Sequence, residues 1–441
     1  MEFWIKAAQL ILSLSILVVL HELGHYIAAR VFKCRVEKFY LFFNPWFSLY
    51  KKKVGDTEYG IGWLPLGGYV KISGMLDESM DKEQMKLPPQ PHEFRSKPAW
   101  QRLIIMLGGI IVNVILGIFI YSMILLAVGE KYIPTKNLKY GIVADSLAQK
   151  AGFKNGDKIL AVDGRPVERF EKLSGEIIIN NAKVVSIERD GKNTTVNLTE
   201  ENIKSFIDNE DGAFLDARVP FIIDSVLADS GASKAKLKKG DMILAINDSS
   251  IHYLDEAKEI FQKNKNKTVT VVYERNKMLD TVDVLVSKRG MIGTLNVGAD
   301  KILGYDSITY GIISCFPAGA NKAWSTVKSY VKQFGLIFNS KIQGYKHLGG
   351  FMSIGKSFAP TWDWLLFWQF TAFLSIVLAF MNLLPIPALD GGHVMFTLYE
   401  MITRRKPNEK FLEYAQMGGM ILLLGLMLFA NGNDLVKHFF K

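Results

Sequence analysis

Four long apolar stretches constrain the fold of this 441-residue chain more than any other feature. They cover about residues 7–32, 103–128, 364–384 and 414–432, and the last three carry no charged side chain. A helix needs about 20 residues to cross a bilayer. The first stretch resembles a signal peptide, but no small-residue cleavage site follows it, so we expect it to be retained. The sequence therefore predicts four transmembrane helices.

The positive charge of the chain, +10 overall, predicts how these helices are oriented. Basic clusters at 51–53 and 404–406 lie in the two loops that join the first to the second and the third to the fourth stretch. Because short loops rich in Lys and Arg stay cytoplasmic, both chain ends and the long middle region are expected outside. The clusters suit the water-side ends of membrane elements, so no nucleic-acid partner is predicted. Cys34 and Cys315 fall on opposite sides, which argues against a disulfide framework or a cysteine zinc site.

The loop after the first stretch predicts a small membrane-associated β-element. Apolar and other residues alternate at 58–63, and a glycine-rich turn follows at 65–69. Residues 41–50 are apolar enough to dip into the membrane interface. A β-hairpin or small sheet over residues 36–72 is therefore expected.

The middle region contains an internal repeat. An apolar strand, a small-residue helix, a Gly-Asp turn and a second apolar strand occur at 142–164 and again at 223–247. Two copies of one compact β-rich unit follow from this pattern, with two unrelated modules as the plainer alternative. The repeats resemble PDZ domains over most of residues 139–288. Residues 310–358 suit either an amphipathic helix at the outer membrane surface or a cap packed on the repeats.

The first apolar stretch contains His21-Glu22-Leu23-Gly24-His25, an HExxH motif. On a helix, the spacing of four places both imidazoles on one face, within reach of a single metal ion, and the glutamate beside them can accept a proton from water. A polar trio inside an apolar helix costs several kcal/mol unless it is paired or coordinated. The motif therefore indicates a catalytic metal site, and the alternative is a packed helix with hydrogen-bonded histidines.

A catalytic zinc site needs one more protein ligand. Asp390 lies in the segment Asn382-Leu-Leu-Pro-Ile-Pro-Ala-Leu-Asp-Gly-Gly-His393, directly after the third apolar stretch. Its prolines interrupt helical hydrogen bonding and its glycines allow a tight turn, so we expect unwound backbone lining a cavity at membrane depth. Asp390 can face the metal there, and His393 is a chemically reasonable rival.

Together, HELGH, the PDZ-like repeats and the Asn-x-x-Pro-x-Pro-x-Leu-Asp-Gly segment resemble the site-2 protease family of intramembrane metalloproteases, and best its bacterial regulator-of-sigma-E protease group. The resemblance favours Asp390 over His393. It implies Zn²⁺ held by His21, His25 and Asp390, with Glu22 as general base. It also implies that Asn382 contacts the substrate backbone, and that Gly67, Gly68 and Tyr69 belong to a substrate-binding β-element near the active site.

Two departures from the family pattern stand out. A proline usual in the second span is replaced in Gly108-Gly109-Ile110-Ile111-Val112-Asn113, which puts a backbone kink there in doubt. A Gly-Phe-Gly usual before the first β-element is replaced by Phe42-Phe43-Asn44. Neither change touches an expected metal ligand.

The sequence thus predicts a multi-domain membrane protein with four transmembrane α-helices, a membrane-associated β-element and two β-rich PDZ-like extracytoplasmic domains. The resemblance implies a zinc metalloendopeptidase of the bacterial inner membrane that performs regulated intramembrane proteolysis. Its expected partners are the lipid bilayer and transmembrane substrates such as anti-sigma factors or signal-peptide remnants. A non-catalytic PDZ scaffold with a vestigial metal site is the main alternative, and a transporter is a third. The expected transmembrane helices lie in segments 1–35, 103–130, 363–392 and 414–441, of which the first carries the zinc motif and the last includes a tail. Segment 36–102 is the expected cytoplasmic, membrane-associated β-element with its loop, and segment 393–413 is a cytoplasmic loop. The PDZ-like domains are expected at 131–212 and 213–290, followed by an amphipathic extracytoplasmic segment at 291–362.

Overall fold

A computed structural model of the chain describes residues 2–65, 67–75, 88–209 and 214–439. The chain forms two compact units. The first, called the helical unit, comprises Met1–Gly129, Thr309–Val331 and Lys346–Lys441. The second, called the β-rich unit, comprises Glu130–Ile308 and Lys332–Tyr345.

The helices of the described residues are α1 (Glu2–Val31), α2 (Ala99–Val128), α3 (Ser146–Lys150), α4 (Leu173–Ile179), α5 (Glu200–Asp208), α6 (Gly231–Lys234), α7 (Leu254–Lys263), α8 (Ala299–Leu303), α9 (Cys315–Ile337), α10 (Phe351–Lys356), α11 (Trp364–Leu383), α12 (Asp390–Thr403) and α13 (Glu409–Phe439). Four of them are long and apolar enough to cross a bilayer, namely α1, α2, α11 and residues Lys410–Lys437 of α13. They coincide with the four stretches predicted from the sequence.

The strands are β1 (Val36–Leu41), β2 (Phe43–Val54), β3 (Thr57–Leu64), β4 (Tyr69–Ile72), β5 (Glu130–Tyr132), β6 (Ile142–Ala144), β7 (Lys158–Val162), β8 (Val184–Arg189), β9 (Lys192–Asn197), β10 (Leu215–Ala217), β11 (Ile223–Val226), β12 (Met242–Ile246), β13 (Ser249–Ser250), β14 (Thr268–Arg275), β15 (Met278–Leu285), β16 (Thr294–Asn296) and β17 (Asp306–Ile308). The first four form a sheet in the helical unit. The others belong to the β-rich unit.

The sheet of the helical unit follows α1 directly, in the order β2-β3-β1-β4. Strands β2 and β3 form an antiparallel hairpin, β1 runs parallel to β3, and β4 is antiparallel to β1 at the edge of the sheet. The sheet is anchored by Val36 and Ile72, which are buried in one cluster with Ala29 of α1 and Ile105 of α2. The edge strand β4 is thereby held beside α1.

Helices α1 and α2 approach each other closely at three glycines. A methyl group on Gly108 would lie 2.6 Å from the carbonyl oxygen of Gly24, and one on Gly24 would collide with the carbonyl oxygen of Gly108. Gly109 faces the two histidines of α1. Small residues allow this contact between backbones in a membrane helix pair. Helix α2 is continuous through these glycines, so the missing proline leaves no break in the helix.

The predicted interruption after the third apolar stretch is present, because α11 ends at Leu383 and α12 begins at Asp390. The expected role of the glycines was wrong. The chain turns at Ala388, whose φ is 83°, while Gly391 and Gly392 are helical. These glycines serve close packing instead: a methyl group on Gly392 would lie 2.7 Å from the carbonyl oxygen of Ile386.

Helix α9 occupies the predicted amphipathic segment. In the helical unit, its Ala323 and Val327 pack in one cluster with Tyr121 of α2 and with Ala372 and Ile376 of α11. In the β-rich unit, Ile342 belongs to the hydrophobic cluster that contains the first sequence repeat. Residues 310–331 and 346–358 of the segment thus belong to the helical unit, and residues 332–345 belong to the β-rich unit.

The β-rich unit contains two hydrophobic clusters that correspond to the two sequence repeats, and each repeat with its cluster is called a module. Each repeat has a strand, a short helix and a second strand in the same order: β6, α3 and β7 in the first, β11, α6 and β12 in the second.

The repeated Gly-Asp turn has the same structural role in both modules. Asp157 is buried and accepts two hydrogen bonds of 2.7 Å from the Arg189 guanidinium. Asp241 does the same with Arg275, also at 2.7 Å. Hydrogen bonding to Asp157 raises the pKa of the Arg189 guanidinium above its usual value. The turn is thus fixed by a charged, bidentate pair in each module.

Candidate metal centre and active site

Three side chains of the predicted site converge in the helical unit. His21 and His25 lie one turn apart on the same face of α1 and are 8% and 6% exposed. Their Nε2 atoms are 3.3 Å apart. The Asp390 Oδ2 atom, at the start of α12, lies 3.2 Å from His21 Nε2 and 3.3 Å from His25 Nε2. These three atoms form a nearly equilateral triangle.

The triangle has the dimensions of a metal site. With bonds of about 2.0–2.1 Å, two ligands of a tetrahedral zinc ion lie about 3.3–3.4 Å apart. The observed separations of 3.2–3.3 Å agree with this value. Among the described residues, Asp390 Oδ2 is buried without a hydrogen-bond partner, although two ring nitrogens face it. An acceptor left in this state is satisfied by a cation at the centre, so the donor set fits a metal ion.

The far sides of both imidazoles are held by α2. His25 Nδ1 lies 2.8 Å from the carbonyl oxygen of Ile105, to which it donates a hydrogen bond. His21 Nδ1 lies 3.1 Å from the side-chain amide of Asn113. Because the Nδ1 atoms are engaged behind the rings, both Nε2 atoms point into the triangle.

Glu22 lies between the triangle and the small sheet. Its carboxylate accepts a hydrogen bond from the backbone N–H of Val70 on β4 and interacts electrostatically with His21, His25 and Asp390. The edge strand therefore holds the carboxylate next to the three candidate ligands. A group placed in this way can exchange a proton with water or with a leaving group at the metal position.

The expected substrate-binding residues lie at different distances from this centre. Asn382 is the nearest, with its amide nitrogen 3.3 Å from His21 Nε2. Gly68 adjoins Glu22, since a methyl group on it would contact the Glu22 side chain at 3.4 Å. Gly67 and Tyr69 instead shape the sheet.

Gly67 packs on the ring of Phe43. The ring of Tyr69 stacks on those of Tyr40 and Phe43, and its hydroxyl donates to Asn44. Phe43, which matches the family pattern, and Asn44, which departs from it, both support this part of the β-element.

His393, the rival ligand, lies outside the metal-binding group of the described residues, which consists of His21, His25 and Asp390. It lines a neighbouring cavity of about 220 Å³ together with Arg102 and Glu400. The arrangement therefore supports the aspartate as third ligand.

Sequence reasoning missed three residues that position the site. Gly109 has no side chain and so lets the backbone of α2 lie against both imidazoles. Asn113 faces His21, and the backbone N–H of Val70 donates to Glu22. Only Asn113 had a usable signal, as a polar residue in the middle of an apolar span. The other two act through backbone contacts that leave no mark in the sequence.

A buried His-His-carboxylate triangle beside a glutamate, set among apolar membrane-length helices, has the groups that a membrane metallohydrolase needs. Comparison with protein families agrees with this class. The model of "Peptidase family M50" matches residues 9–426, nearly the whole chain. The chain belongs to this peptidase family, the site-2 protease family, and is a metalloprotease.

Relatives of similar length support the assignment. The chain is 28% identical over 451 residues to the metalloprotease MmpA of Caulobacter vibrioides, covering 99% of this chain and 96% of the relative. It is 28% identical to the regulator of sigma E protease of Haemophilus influenzae, covering 99% and 100%. It is also 28% identical to the regulator of sigma-E protease RseP of Escherichia coli, covering 98% and 99%.

Proposed function

We propose that the chain hydrolyses peptide bonds in or near transmembrane segments of membrane-protein substrates, using Zn²⁺ held by His21, His25 and Asp390. The observation that carries this proposal is the triangle of ligand atoms, with sides of 3.2–3.3 Å, next to the Glu22 carboxylate. Two imidazoles and one carboxylate leave one position of a tetrahedral ion open for water or substrate. A structural zinc site has no use for such an opening or for the glutamate.

The roles of the protein groups follow from their positions. A bound zinc ion supplies Lewis acidity, which polarises the scissile carbonyl and makes nearby water more acidic. Glu22 accepts the proton of the attacking water and delivers it to the leaving amine nitrogen. The hydrogen bond from Val70 keeps the carboxylate aimed at this position.

A transmembrane substrate has to be unwound before it is cut, because its carbonyls are engaged in helical hydrogen bonds. We propose that the unwound segment adds to the sheet along the outer edge of β4. This strand is paired with β1 on its inner side, and its outer side adjoins Glu22. Strand addition of this kind supplies backbone hydrogen bonds without requiring a particular sequence.

Asn382 is placed to take part in this binding, since its amide lies beside the candidate metal position. We propose that it donates to a substrate carbonyl. In Asn382→Ala, the zinc content should stay at the wild-type value while kcat/KM falls about tenfold or more, as expected when a positioned donor is lost. Cleavage at the wild-type rate in a variant that retains zinc would contradict this role.

The β-rich unit is proposed to be a pair of PDZ-like domains outside the cytoplasm of a bacterium, with the helical unit in the inner membrane. The basic loops at 51–53 and 404–406 support this orientation. Protease added to spheroplasts should then degrade the β-rich unit, and protection of that unit would contradict the orientation. Two of these relatives bear the name regulator of sigma-E protease. We therefore propose anti-sigma factors as substrates, along with signal-peptide remnants.

We propose that the PDZ-like modules screen bulky ectodomains from the site rather than capture peptides. Deletion of residues 139–288 should then allow substrates with large ectodomains to be cleaved, which the full chain leaves intact. Unchanged discrimination between small and large ectodomains would contradict the screening role. Loss of cleavage of every substrate, with zinc retained, would favour peptide capture instead.

The experiment that tests the proposed chemistry compares the full chain with Glu22→Gln. Gln has nearly the same size but cannot accept the proton, so kcat should fall by about 10²–10⁴-fold while zinc content is unchanged. The reaction is followed as cleavage of a transmembrane substrate in detergent or liposomes. Undiminished cleavage in Glu22→Gln would refute the role of the glutamate, and a purified chain without bound metal would refute the site.

A further inference from the structure

Asn113 is a fully buried polar residue in the middle of α2, with 0% of its surface exposed. Its amide nitrogen lies 3.1 Å from His21 Nδ1. Its amide oxygen is one of the few buried side-chain atoms in the described part of the chain that have no hydrogen-bond partner. A buried acceptor without a partner costs about 1–3 kcal/mol, so this arrangement calls for an explanation.

The chemistry of imidazole makes the contact between the Asn113 amide nitrogen and His21 Nδ1 unfavourable. A neutral His21 that offers the Nε2 lone pair to a metal carries its proton on Nδ1. With the amide nitrogen of Asn113 facing Nδ1, two donors would oppose each other at 3.1 Å. Rotating the amide by 180° exchanges its oxygen and nitrogen, which are nearly equal in size. The oxygen then accepts from Nδ1–H, so that a hydrogen bond replaces the contact between two donors, while the NH2 group takes the position without a partner.

His25 provides the comparison within the same site. Its Nδ1 faces the carbonyl oxygen of Ile105 at 2.8 Å, an acceptor that cannot be rotated away. Its tautomer is therefore fixed by backbone. The Nδ1 atom of His21 faces only the side-chain amide of Asn113, so the tautomer of His21 depends on the orientation of that amide.

We propose that Asn113 is a positioning residue of the metal centre: its amide oxygen accepts a hydrogen bond from His21 Nδ1–H and thereby holds the Nε2 lone pair toward His25 and Asp390. The inference rests on the metal site of the proposed function. The backbone of Asn113 is itself fixed, because Ser375 of α11 donates to its carbonyl oxygen at 2.7 Å. The amide thus presents its oxygen from a rigid point of the helix packing.

The test measures metal affinity in three variants of the full-length chain. Asn113→Leu removes the amide at similar volume, and Asn113→Asp keeps only acceptors. Ser122→Ala is the control, since it removes another buried polar group of α2, whose hydroxyl donates to the Ile118 carbonyl of the same helix. Competition with a chelator gives the Zn²⁺ affinity of each purified protein. The visible absorption of the Co²⁺-substituted forms reports the ligand geometry, independently of proteolysis.

Loss of a hydrogen bond behind a metal-binding histidine typically lowers metal affinity by about 10–100-fold. We expect this loss and an altered Co²⁺ spectrum in Asn113→Leu, whereas Asn113→Asp and Ser122→Ala should remain within about threefold of the wild type. Wild-type affinity in Asn113→Leu would overturn the proposal. So would a loss in Asn113→Asp of 10-fold or more, because an aspartate cannot donate as the amide nitrogen does.

If Asn113→Leu does not fold, the Zn²⁺ affinity of Asn113→Asp alone tests whether residue 113 acts as an acceptor toward His21. A wild-type chain that binds no metal would refute the metal site itself. A wild-type chain that binds metal, with equal affinity in Asn113→Leu, would refute only the role of Asn113.

Discussion

Gly109→Ala is the substitution that most sharply separates the metal centre from the fold around it. A methyl group at this position of α2 would lie 2.6 Å from His21 Cε1 and 2.7 Å from His21 Nδ1, and it would also collide with His25 Nε2. Ordinary van der Waals contact begins at 3.4 Å, so the rings have to retreat by about 0.7–1.0 Å. Metal ligands tolerate displacements of only about 0.2 Å.

Two effects on stability oppose each other in this variant. Alanine is favoured over glycine in a helix by about 1 kcal/mol, whereas overpacking costs about 1–3 kcal/mol. The metal-free protein should therefore stay within about 2 kcal/mol of the wild type. The metal affinity has no such compensation, and it should fall by about 100-fold or more because two of three ligands are displaced.

The assay measures Zn²⁺ affinity by chelator competition and the thermal unfolding of the metal-free protein. Gly425→Ala is the matched control, since this glycine of α13 has no atom within 4 Å of the added methyl group. It should bind zinc as the wild type does. Wild-type affinity in Gly109→Ala would show that α2 does not pack against the two imidazoles as described.

Two further predictions concern the β-element and the β-rich unit. In Gly68→Ala, the methyl group would lie 2.7 Å from both the carbonyl oxygen of Tyr40 and Val18 Cγ1. It should move β4 away from Glu22, so kcat/KM should fall about tenfold or more with zinc content unchanged, and wild-type turnover would contradict this placement. Arg275→Lys should destabilise the protein by about 2–3 kcal/mol, because lysine cannot make both hydrogen bonds to the buried Asp241. The exposed Arg165→Lys should change stability by less than about 0.5 kcal/mol in the same unfolding assay, and equal effects of the two variants would refute the role of the buried pair.

The apolar helices were predictable because length and hydrophobicity alone define them. The third stretch, expected at residues 364–384, is helix Trp364–Leu383. The first begins earlier than expected, at Glu2 rather than residue 7, because a helix can continue beyond its apolar part. Helix α12 was not predicted, because the sequence indicates only a cytoplasmic loop at residues 393–413.

The candidate site was predictable where the chemistry depends on local spacing. The interval of four residues between His21 and His25 fixes their common face before any tertiary contact is known. Asp390 required the family resemblance, because its distance from the histidines depends on how α11 packs on α2 and on the turn at Ala388.

The contacts of Gly109, Asn113 and Val70 could not be derived from periodicity, which describes one element at a time. The same holds for the sheet order, in which β1 runs parallel to β3. A hairpin signal predicts antiparallel neighbours and gives no information on the strand that is inserted beside them. These features became visible only when the separate elements were placed together.

The proposed function depends most on the convergence of His21, His25 and Asp390 around one metal ion. Anomalous X-ray scattering at the zinc absorption edge, from crystals of the full-length protein, tests this convergence directly. We predict one peak in the helical unit, at about 2.0–2.2 Å from each of the three ligand atoms. A peak at His393, a peak remote from these atoms, or a protein without bound metal would contradict the proposed metal centre.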